Sequence, residues 1–237
     1  MYKGYRILAV IPARGGSRGL PEKNIRQFID RPLLYWTIGA ANNSNYIDLV
    51  AVSTEDSIIK SLCEQIDTIV VDRPEILSRD ESPSCEAIIH AIDYFKNVHA
   101  LQYDVIIQLE CTSPLRKPND IDNAIEDFID NYGTTDSLVS VGELTSDTEH
   151  PYCVKVEEDG YLIPFIKDSP PIYQRQQLNN AYSVFGGIYM SKVYKYRQYL
   201  TFYQERTIGY KVERWQKFEI DDEIDFICCE AIAKEKL

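Results

Sequence analysis

The stretch that decides the fold is Ile11-Pro-Ala-Arg-Gly-Gly-Ser-Arg-Gly-Leu-Pro-Glu-Lys-Asn-Ile25, which begins inside an apolar run from Arg6 to Pro12. The run predicts a buried strand, and the rest of the stretch predicts a long turn after it. Three glycines let this turn approach a ligand closely, and three cations supply the charge that a polyphosphate requires. They are Gly15, Gly16 and Gly19, and Arg14, Arg18 and Lys23.

The turn matches neither of the two common phosphate-binding motifs. It lacks the G-x-G-x-x-G spacing of dinucleotide-binding folds and the Gly-Lys-Ser/Thr ending of a P-loop. The alternative is a plain glycine-rich turn with solvated cations. Strand-to-helix turns are usually only ~2–6 residues long, however, and their connecting role does not require three cations. The sequence therefore predicts a triphosphate-binding turn of another kind.

Outward from this turn, apolar runs alternate with segments of helical periodicity through roughly the first 140 residues. This alternation is typical of repeated βα units on a mostly parallel sheet, so the predicted fold class is α/β. The runs predict strands over Arg6–Pro12, Asp48–Ser53, Asp67–Val71, Tyr103–Leu109 and Ser137–Val141. The segments between them predict helices over Pro32–Asn43, Asp56–Gln65, Ser84–Asn97 and Pro118–Asn131.

The pattern changes after about Thr145. Residues Tyr152–Ile166 predict a hairpin with its turn at Glu158-Asp159-Gly160, and a polar segment rich in Pro and Gln follows over Asp168–Asn180. Such an excursion usually covers a site or reaches a partner subunit. The remaining predicted elements are strands over Val184–Met190 and Ile208–Val212 and a helix from about Glu223.

The composition is that of a folded, acidic protein. The 237 residues include 25 basic and 37 acidic ones, which gives a formal net charge of −12. This charge disfavours nucleic-acid and membrane-surface binding, and no window approaches the ~18 consecutive apolar residues of a spanning helix. The six cysteines form no C-x-x-C pair and there are three histidines, so structural zinc is not expected and reduced thiols are. We expect a cytoplasmic protein with a single domain over residues 1–237.

Residues 11–25 resemble the signature of the acylneuraminate cytidylyltransferase family, whose members activate sialic acid and other nonulosonic acids. The resemblance continues through Val52-Ser-Thr-Glu-Asp56, Arg73-Pro-Glu-Ile-Leu77, Thr112-Ser-Pro-Leu-Arg116, Arg175-Gln-Gln177, Gly186-Gly-Ile-Tyr189 and Glu219-Ile-Asp221. Several separated blocks in the family's order are much harder to obtain by chance than one glycine turn. The resemblance implies a Rossmann-like nucleotidyltransferase fold, a mostly parallel twisted sheet flanked by helices, and a homodimer formed through an excursion at residues 145–180.

The activity that the resemblance implies is transfer of CMP from CTP to the anomeric hydroxyl of a nine-carbon 2-keto sugar acid, with release of pyrophosphate. It implies CTP as co-substrate and Mg²⁺ or another divalent cation as cofactor. Arg14 and Lys23 match the family's cationic pair, which would stabilise the α-phosphate and the leaving pyrophosphate, and Asp221 completes the predicted catalytic set. The residues that match nucleotide contacts are Ala13, Arg14, Gly15, Ser17, Arg18, Lys23, Asn24, Arg73, Ser82 and Ser84.

Glu219 and Asp221 form the predicted metal site. In an extended segment, residues two apart lie on the same face, so both carboxylates could meet one Mg²⁺. The resembling families usually have aspartate at both positions, so Glu219 leaves open whether it binds directly or through water. The alternative is a solvated acidic N-terminus of the last helix, which the helix dipole favours.

The acceptor side departs most from the family. Glu110 stands at a strand end where many relatives have glutamine as a contact to the base or the acceptor sugar. Glu110 could accept from sugar hydroxyl or acetamido N–H groups or join the metal shell, and the alternative is a buried glutamate satisfied by backbone N–H groups. Arg175 matches the arginine that meets the acceptor, whose carboxylate suits a guanidinium fork. The other predicted acceptor contacts are Gln176, Phe185 and Tyr189.

These departures predict an altered sugar, such as a legionaminic, pseudaminic or other deoxy-amino nonulosonic acid. Ser183-Val184-Phe185 replaces a stretch that often contains a sugar-binding asparagine in sialic-acid enzymes, and Cys153 stands near where some relatives have lysine. Two alternatives stay open: the same chemistry on N-acetylneuraminate itself, and a catalytically idle nucleotide-binding homologue.

Overall fold

The computed structural model describes residues 1–16, 19–79, 81–144, 154–156, 161–164 and 181–237. Its strands are β1 (Ile7–Pro12), β2 (Gln27–Phe28), β3 (Arg31–Pro32), β4 (Leu49–Thr54), β5 (Ile69–Asp72), β6 (Val105–Gln108), β7 (Ser137–Glu143), β8 (Val154–Val156), β9 (Leu162–Pro164), β10 (Tyr182–Lys192) and β11 (Thr207–Val212). Its α-helices are α1 (Leu33–Asn42), α2 (Ser57–Glu64), α3 (Ser84–His99), α4 (Asp120–Asp130), α5 (Val193–Tyr199) and α6 (Glu223–Lys236).

A seven-stranded sheet in the order β11-β7-β10-β6-β1-β4-β5 forms the centre of the described structure. Strand β1 pairs in parallel with β4 on one side and β6 on the other, while β10 runs antiparallel to both β6 and β7. The predicted α/β class with a mostly parallel sheet is therefore confirmed. Because successive strands lie on opposite sides of β1, the turn after Pro12 opens at the carboxyl edge where such sheets bind ligands.

Side chains of β1 alternate between two buried layers. Ile7, Ala9 and Ile11 face α1, α2 and α4, whereas Leu8 and Val10 face α3 and α5. This alternation is the period of two that strands require, and it covers both sheet faces with helices. Burial on both faces explains why β1 is apolar throughout.

A third apolar cluster ties the C-terminal helix to the segment after the glycine turn. Phe226, Cys229 and Ala233 of α6 pack with Phe28 and Leu33, and the rings of Phe28 and Phe226 meet edge to face at 5.5 Å. The side chain of Asp222 begins α6 by accepting a hydrogen bond from the Asp225 N–H. The cluster therefore fixes the chain just before α6 beside the turn after β1.

The predicted strands and helices are confirmed, with ends shifted by a few residues. The hairpin predicted over 152–166 is present as the antiparallel pair β8–β9, but its turn at 158–160 and the segment 168–180 lie outside the described residues. The sequence did not predict α5 or the short strands β2 and β3. Helix α5 has seven residues with only Tyr196 buried, so it leaves little apolar periodicity. Among the described residues, no helix combines the length and apolar composition that a bilayer span requires.

Candidate active site

A cleft of about 450 Å³ opens at the carboxyl edge of the sheet, above the ends of β1 and β6. It has the size of a small-molecule site. Its lining includes both predicted members of the cationic pair and the predicted carboxylate. The lining residues are Pro12, Arg14, Gly19, Lys23, Asn24, Arg73, Leu77, Ser78, Arg79, Ser82, Ser84, Glu110, Cys111, Thr112 and Asp221.

The glycine turn and the C-terminal segment touch at Gly19. A Cβ added to Gly19 would lie 2.2 Å from the Asp221 carbonyl oxygen, a distance that real Cβ atoms essentially never show. Only glycine therefore fits here without movement of one of the two segments. The structure thus brings together two parts of the chain that are about 200 residues apart.

Lys23 bridges these two segments. Its Nζ donates a hydrogen bond of 2.6 Å to the Ile220 carbonyl and lies 3.7 Å from Oδ1 of Asp221. The Lys23 side chain is 12% exposed, whereas that of Asp221 is 83% exposed. The lysine is consequently held in a defined place, and the aspartate is open to a ligand.

Asn24 holds the turn from within. It lies in a short 3₁₀ helix, Lys23–Ile25, and it is buried. Its amide donates a 3.0 Å hydrogen bond to the Arg14 carbonyl. Asn24, predicted as a nucleotide contact, thus also fixes the backbone that carries Arg14.

Glu55 connects the turn to Arg73. One carboxylate oxygen accepts from the Gly15 N–H at 2.9 Å, and the other accepts from the guanidinium of buried Arg73 at 2.9 Å. Burial raises the pKa of Glu55, but its hydrogen bonds, including those two, outweigh burial and leave the pKa below its usual value. Glu55 stays ionised and orients Arg73. Its place in the block that carries the family resemblance was the only sequence signal for it.

The start of α3 forms another wall of the cleft. Ser84 is the first residue of α3, and the Ser82 hydroxyl donates to the Ile76 carbonyl at 2.7 Å. Arg79 also lines the cleft, although it is not among the contacts predicted from the sequence. Its position between Arg73 and Ser82, both predicted contacts, is the signal that could have found it.

Glu110 also lines the cleft, just after β6. The Gln108 side-chain amide donates to its carboxylate, so the alternative of a glutamate satisfied by backbone N–H groups is not what the structure shows. Burial raises the pKa of Glu110; Gln108 opposes that rise, and the nearby Glu219 adds to it. Its neighbour Cys111 is also buried, which raises the pKa of the thiol to about 12 and leaves it an unreactive neutral group.

Glu219 and Asp221 occupy different environments. Oε1 of Glu219 accepts hydrogen bonds from the Ser113 hydroxyl and the Gly186 N–H, each at 2.9 Å. Glu219 does not line the cleft, whereas Asp221 does. Within the described ranges, no three Asp, Glu, His or Cys side chains form a group that could hold a metal by themselves.

The other predicted contacts are spread more widely. Ala13 is buried after β1, and its N–H donates to the Ser53 carbonyl at 3.0 Å. Phe185 is buried, and a Cβ on Gly187 would meet its ring at 2.5 Å. Tyr189 stacks on Phe202 with ring centres 5.4 Å apart. These three do not line the described cleft, and Ser17, Arg18, Arg175 and Gln176 lie outside the described residues.

Comparison with known proteins identifies the family. A family model described as cytidylyltransferase matches residues 8–236. The chain belongs to the cytidylyltransferase family. The predicted family is therefore confirmed.

Two curated relatives show how far the likeness extends. An N-acylneuraminate cytidylyltransferase of Streptococcus agalactiae serotype V is 30% identical over 93% of this chain and 51% of that protein. A CMP-N,N'-diacetyllegionaminic acid synthase of Legionella pneumophila is 30% identical over 96% of each chain. This cytidylyltransferase thus spans about half the length of the streptococcal relative and nearly all of the Legionella one.

A solved structure agrees on the fold. The CMP:2-keto-3-deoxy-manno-octonic acid synthetase complexed with CTP superposes with a TM-score of 0.70 over 98% of this chain and 100% of that one, at 16% sequence identity. At that identity the likeness establishes the nucleotidyltransferase fold alone.

Proposed function

We propose that this cytidylyltransferase transfers CMP from CTP to the anomeric hydroxyl of a nonulosonic acid, giving the CMP-sugar and pyrophosphate. The observation that carries the proposal is the meeting of the glycine turn, Lys23 and Asp221 in one cleft. The names of the streptococcal and Legionella relatives support a sialic-type acceptor.

The nucleotide side suits a triphosphate. Arg14, Lys23, Arg73 and Arg79 line the cleft and face the place where negative charge would develop. Lys23 is already held by the Ile220 carbonyl, and Arg73 by Glu55. Donors that are held before substrate binds stabilise a transition state without the cost of reorganisation. We assign stabilisation of the α-phosphate and of the leaving pyrophosphate to Arg14 and Lys23.

The donor set fits a magnesium ion carried by the nucleotide. Mg²⁺ in such sites is held by one or two carboxylates together with substrate phosphates and water, and a dedicated cage is not required. Asp221 offers one exposed carboxylate at the cleft, whereas the Glu219 carboxylate accepts from Ser113 and Gly186 and does not line the cleft. We infer that Asp221 is the main protein ligand and that Glu219 contributes less. The ion would supply charge neutralisation on the phosphates.

The acceptor side supports a sugar other than N-acetylneuraminate. Glu110 places a carboxyl where the family resemblance implies an amide. An ionised carboxylate only accepts hydrogen bonds, for example from hydroxyl or acetamido N–H groups, whereas an amide also donates them. The Legionella relative, whose name specifies a diacetylated legionaminic acid, matches over 96% of its length. We propose a deoxy-amino nonulosonic acid as the preferred acceptor, with Arg175 and Gln176 as further contacts.

The deciding experiment incubates the protein with CTP, Mg²⁺ and a panel of nonulosonic acids, followed by mass analysis for the CMP conjugate. Lys23→Ala should lower the rate of pyrophosphate release by ~10²-fold or more, as loss of a preorganised donor does. Lys60→Ala removes a lysine that pairs with Asp72 away from the cleft, and it should keep the parent rate. Binding of CTP without pyrophosphate release from any acid would instead indicate an idle homologue. Higher efficiency with N-acetylneuraminate than with every analogue would refute the sugar assignment.

We infer further that the protein acts in the cytoplasm as a homodimer joined through residues 145–180. The family resemblance supports this arrangement, and the β8–β9 hairpin lies within that excursion. Light scattering of the full chain should give twice the monomer mass. A variant with residues 145–180 replaced by a short Gly-Ser linker should give the mass of a monomer.

A further inference from the structure

Arg116 is a buried cation whose hydrogen-bond acceptors are all uncharged. It lies between β6 and α4 with 7% of its surface exposed. Its guanidinium donates to the Gly187 carbonyl at 2.6 Å, the Glu110 carbonyl at 2.7 Å, the Thr37 hydroxyl at 3.2 Å and the Gly186 carbonyl at 3.3 Å. No carboxylate of the described residues lies within ion-pair distance of it. Burying a charge without an oppositely charged partner is costly, so the presence of Arg116 at this buried position calls for an explanation.

The guanidinium joins three parts of the structure. Thr37 lies on α1, Glu110 follows β6, and Gly186 and Gly187 lie in β10. The planar fork of arginine directs several N–H groups at fixed angles, so one side chain can hold acceptors from separate segments. Neither a single ammonium group nor an apolar side chain could do the same.

The backbone that Arg116 holds carries Glu110 and packs against Glu219, both of which are half-buried. The N–H of Glu110 donates to the Gly186 carbonyl at 3.2 Å, and the N–H of Gly186 donates to Glu219 at 2.9 Å. A Cβ added at Gly186 would lie 2.8 Å from Cγ of Glu110 and 2.7 Å from Oε1 of Glu219. The packing is therefore so close that a shift of this backbone would displace both carboxylates.

The geometry points to Arg116 as a positioning residue that fixes Glu110, the proposed acceptor contact that lines the cleft, through the Glu110 and Gly186 carbonyls. Arg116 does not line the cleft, and its hydrogen bonds do not reach Arg14, Lys23 or Arg73. Its loss should therefore impair the acceptor side while the nucleotide side stays intact. This inference rests on the proposed function, because it needs an acceptor to be measured.

Steady-state kinetics on Arg116→Lys and Arg116→Ala tests the inference, with N-acetylneuraminate and N,N'-diacetyllegionaminic acid as acceptors. Both variants should raise the acceptor KM at least tenfold and change the CTP KM and the calorimetric Kd for CTP by less than threefold. Guanidinium ion, added far below the concentration that unfolds the protein, should partly restore the acceptor KM of Arg116→Ala. Thr37→Val, which removes one acceptor of the guanidinium, should raise the acceptor KM by a smaller factor.

Lys192→Met is the matched control. Lys192 is a buried cation at the C-terminal end of β10, the strand whose Gly186 and Gly187 carbonyls accept from Arg116, but it pairs with Asp136. This variant should lose thermal stability and keep the parent KM for the acceptor, with no response to guanidinium ion.

The outcomes distinguish a failure of the positioning role of Arg116 from a failure of the proposed CMP transfer. An unchanged acceptor KM in a folded Arg116 variant, or equal losses for acceptor and CTP, would overturn the positioning role while CMP transfer by the parent stands. If both Arg116 variants are insoluble, an unchanged acceptor KM in Thr37→Val overturns it. If the parent forms no CMP conjugate with either acid, the proposed function fails for these acceptors and this inference fails with it.

Discussion

Replacing Gly19 by alanine tests whether the contact between the glycine turn and the C-terminal segment builds the site. The added Cβ would lie 2.2 Å from the Asp221 carbonyl oxygen, whereas real Cβ atoms keep at least 3.0 Å, so the segments must separate by about 0.8 Å. Lys23 spans the same gap through its bond to the Ile220 carbonyl. The separation would therefore stretch that bond and move the lysine away from Asp221.

Both stability and rate should change by measurable amounts. Overpacking of this kind costs ~1–3 kcal/mol, which for a chain of this length lowers Tm by roughly 2–12 °C. A misplacement of about 1 Å of groups that hold the reacting atoms costs ~10²-fold in kcat/KM. Scanning calorimetry and initial rates of pyrophosphate release measure the two effects.

Gly16→Ala is the control for this substitution. It makes the same chemical change in the same turn, but within the described part of the chain a Cβ at Gly16 has no heavy atom within 4 Å apart from its chain neighbours. It should leave Tm close to the parent value. If Gly19→Ala behaves like Gly16→Ala, the contact does not build the site and the reasoning fails.

Three further substitutions extend the test to the acids. Asp221→Asn should lower kcat at saturating Mg²⁺ by ~10²-fold or more with little change in Tm, whereas Asp222→Asn, which removes the same charge but preserves the cap of α6, should stay near the parent rate. Glu110→Gln should keep the CTP KM and shift the acceptor preference. Since the pKa of Glu110 is raised in the folded protein, the parent should lose stability relative to Glu110→Gln as pH rises above the ordinary glutamate pKa, and parallel unfolding curves would contradict this. Asp136→Asn leaves buried Lys192 without its partner and should cost ~3–5 kcal/mol in urea titrations at neutral pH without changing either KM. The hydrogen bond from Arg206 lowers the pKa of Asp136; burial raises it, but the charges of Arg206 and Lys195 add to the lowering. The cost of Asp136→Asn should therefore shrink only as pH falls below the ordinary aspartate pKa.

The fold was largely predictable because buried strands and amphipathic helices repeat. Strand β1 is buried on both faces, which gives the apolar run over residues 6–12, and α4 alternates acids with buried residues at helical spacing. Strands β2 and β3 have two residues each, too few to show a period of two. Helix α5 buries one side chain, so its amphipathic pattern is absent.

The site was predictable in part. Periodicity placed the glycine turn after β1, but only the family resemblance connected Lys23 with Asp221, since no local pattern joins residues 198 positions apart. Glu219 and Asp221 would share a face only if residues 219–221 formed a strand. The segment between the 3₁₀ helix Arg214–Lys217 and α6 is not one, and the two side chains have separate surroundings. Arg116 ends the block Thr112–Arg116 that carries the family resemblance, but the carbonyls that it holds come from segments that sequence spacing cannot relate.

The two walls of the cleft are supported by different parts of the structure. The nucleotide wall depends on the turn after β1, on Glu55, and on the C-terminal segment that Lys23 contacts. The acceptor wall depends on the backbone of β6 and β10, which Arg116 joins from behind. Because Lys23 and Arg116 share no hydrogen-bond partner among the described residues, we expect a substitution of Arg116 to change the proposed acceptor preference and to leave the proposed triphosphate contacts in place. Such a division would allow Glu110 to depart from the glutamine that the family resemblance implies while the glycine turn and Lys23 keep the family's pattern.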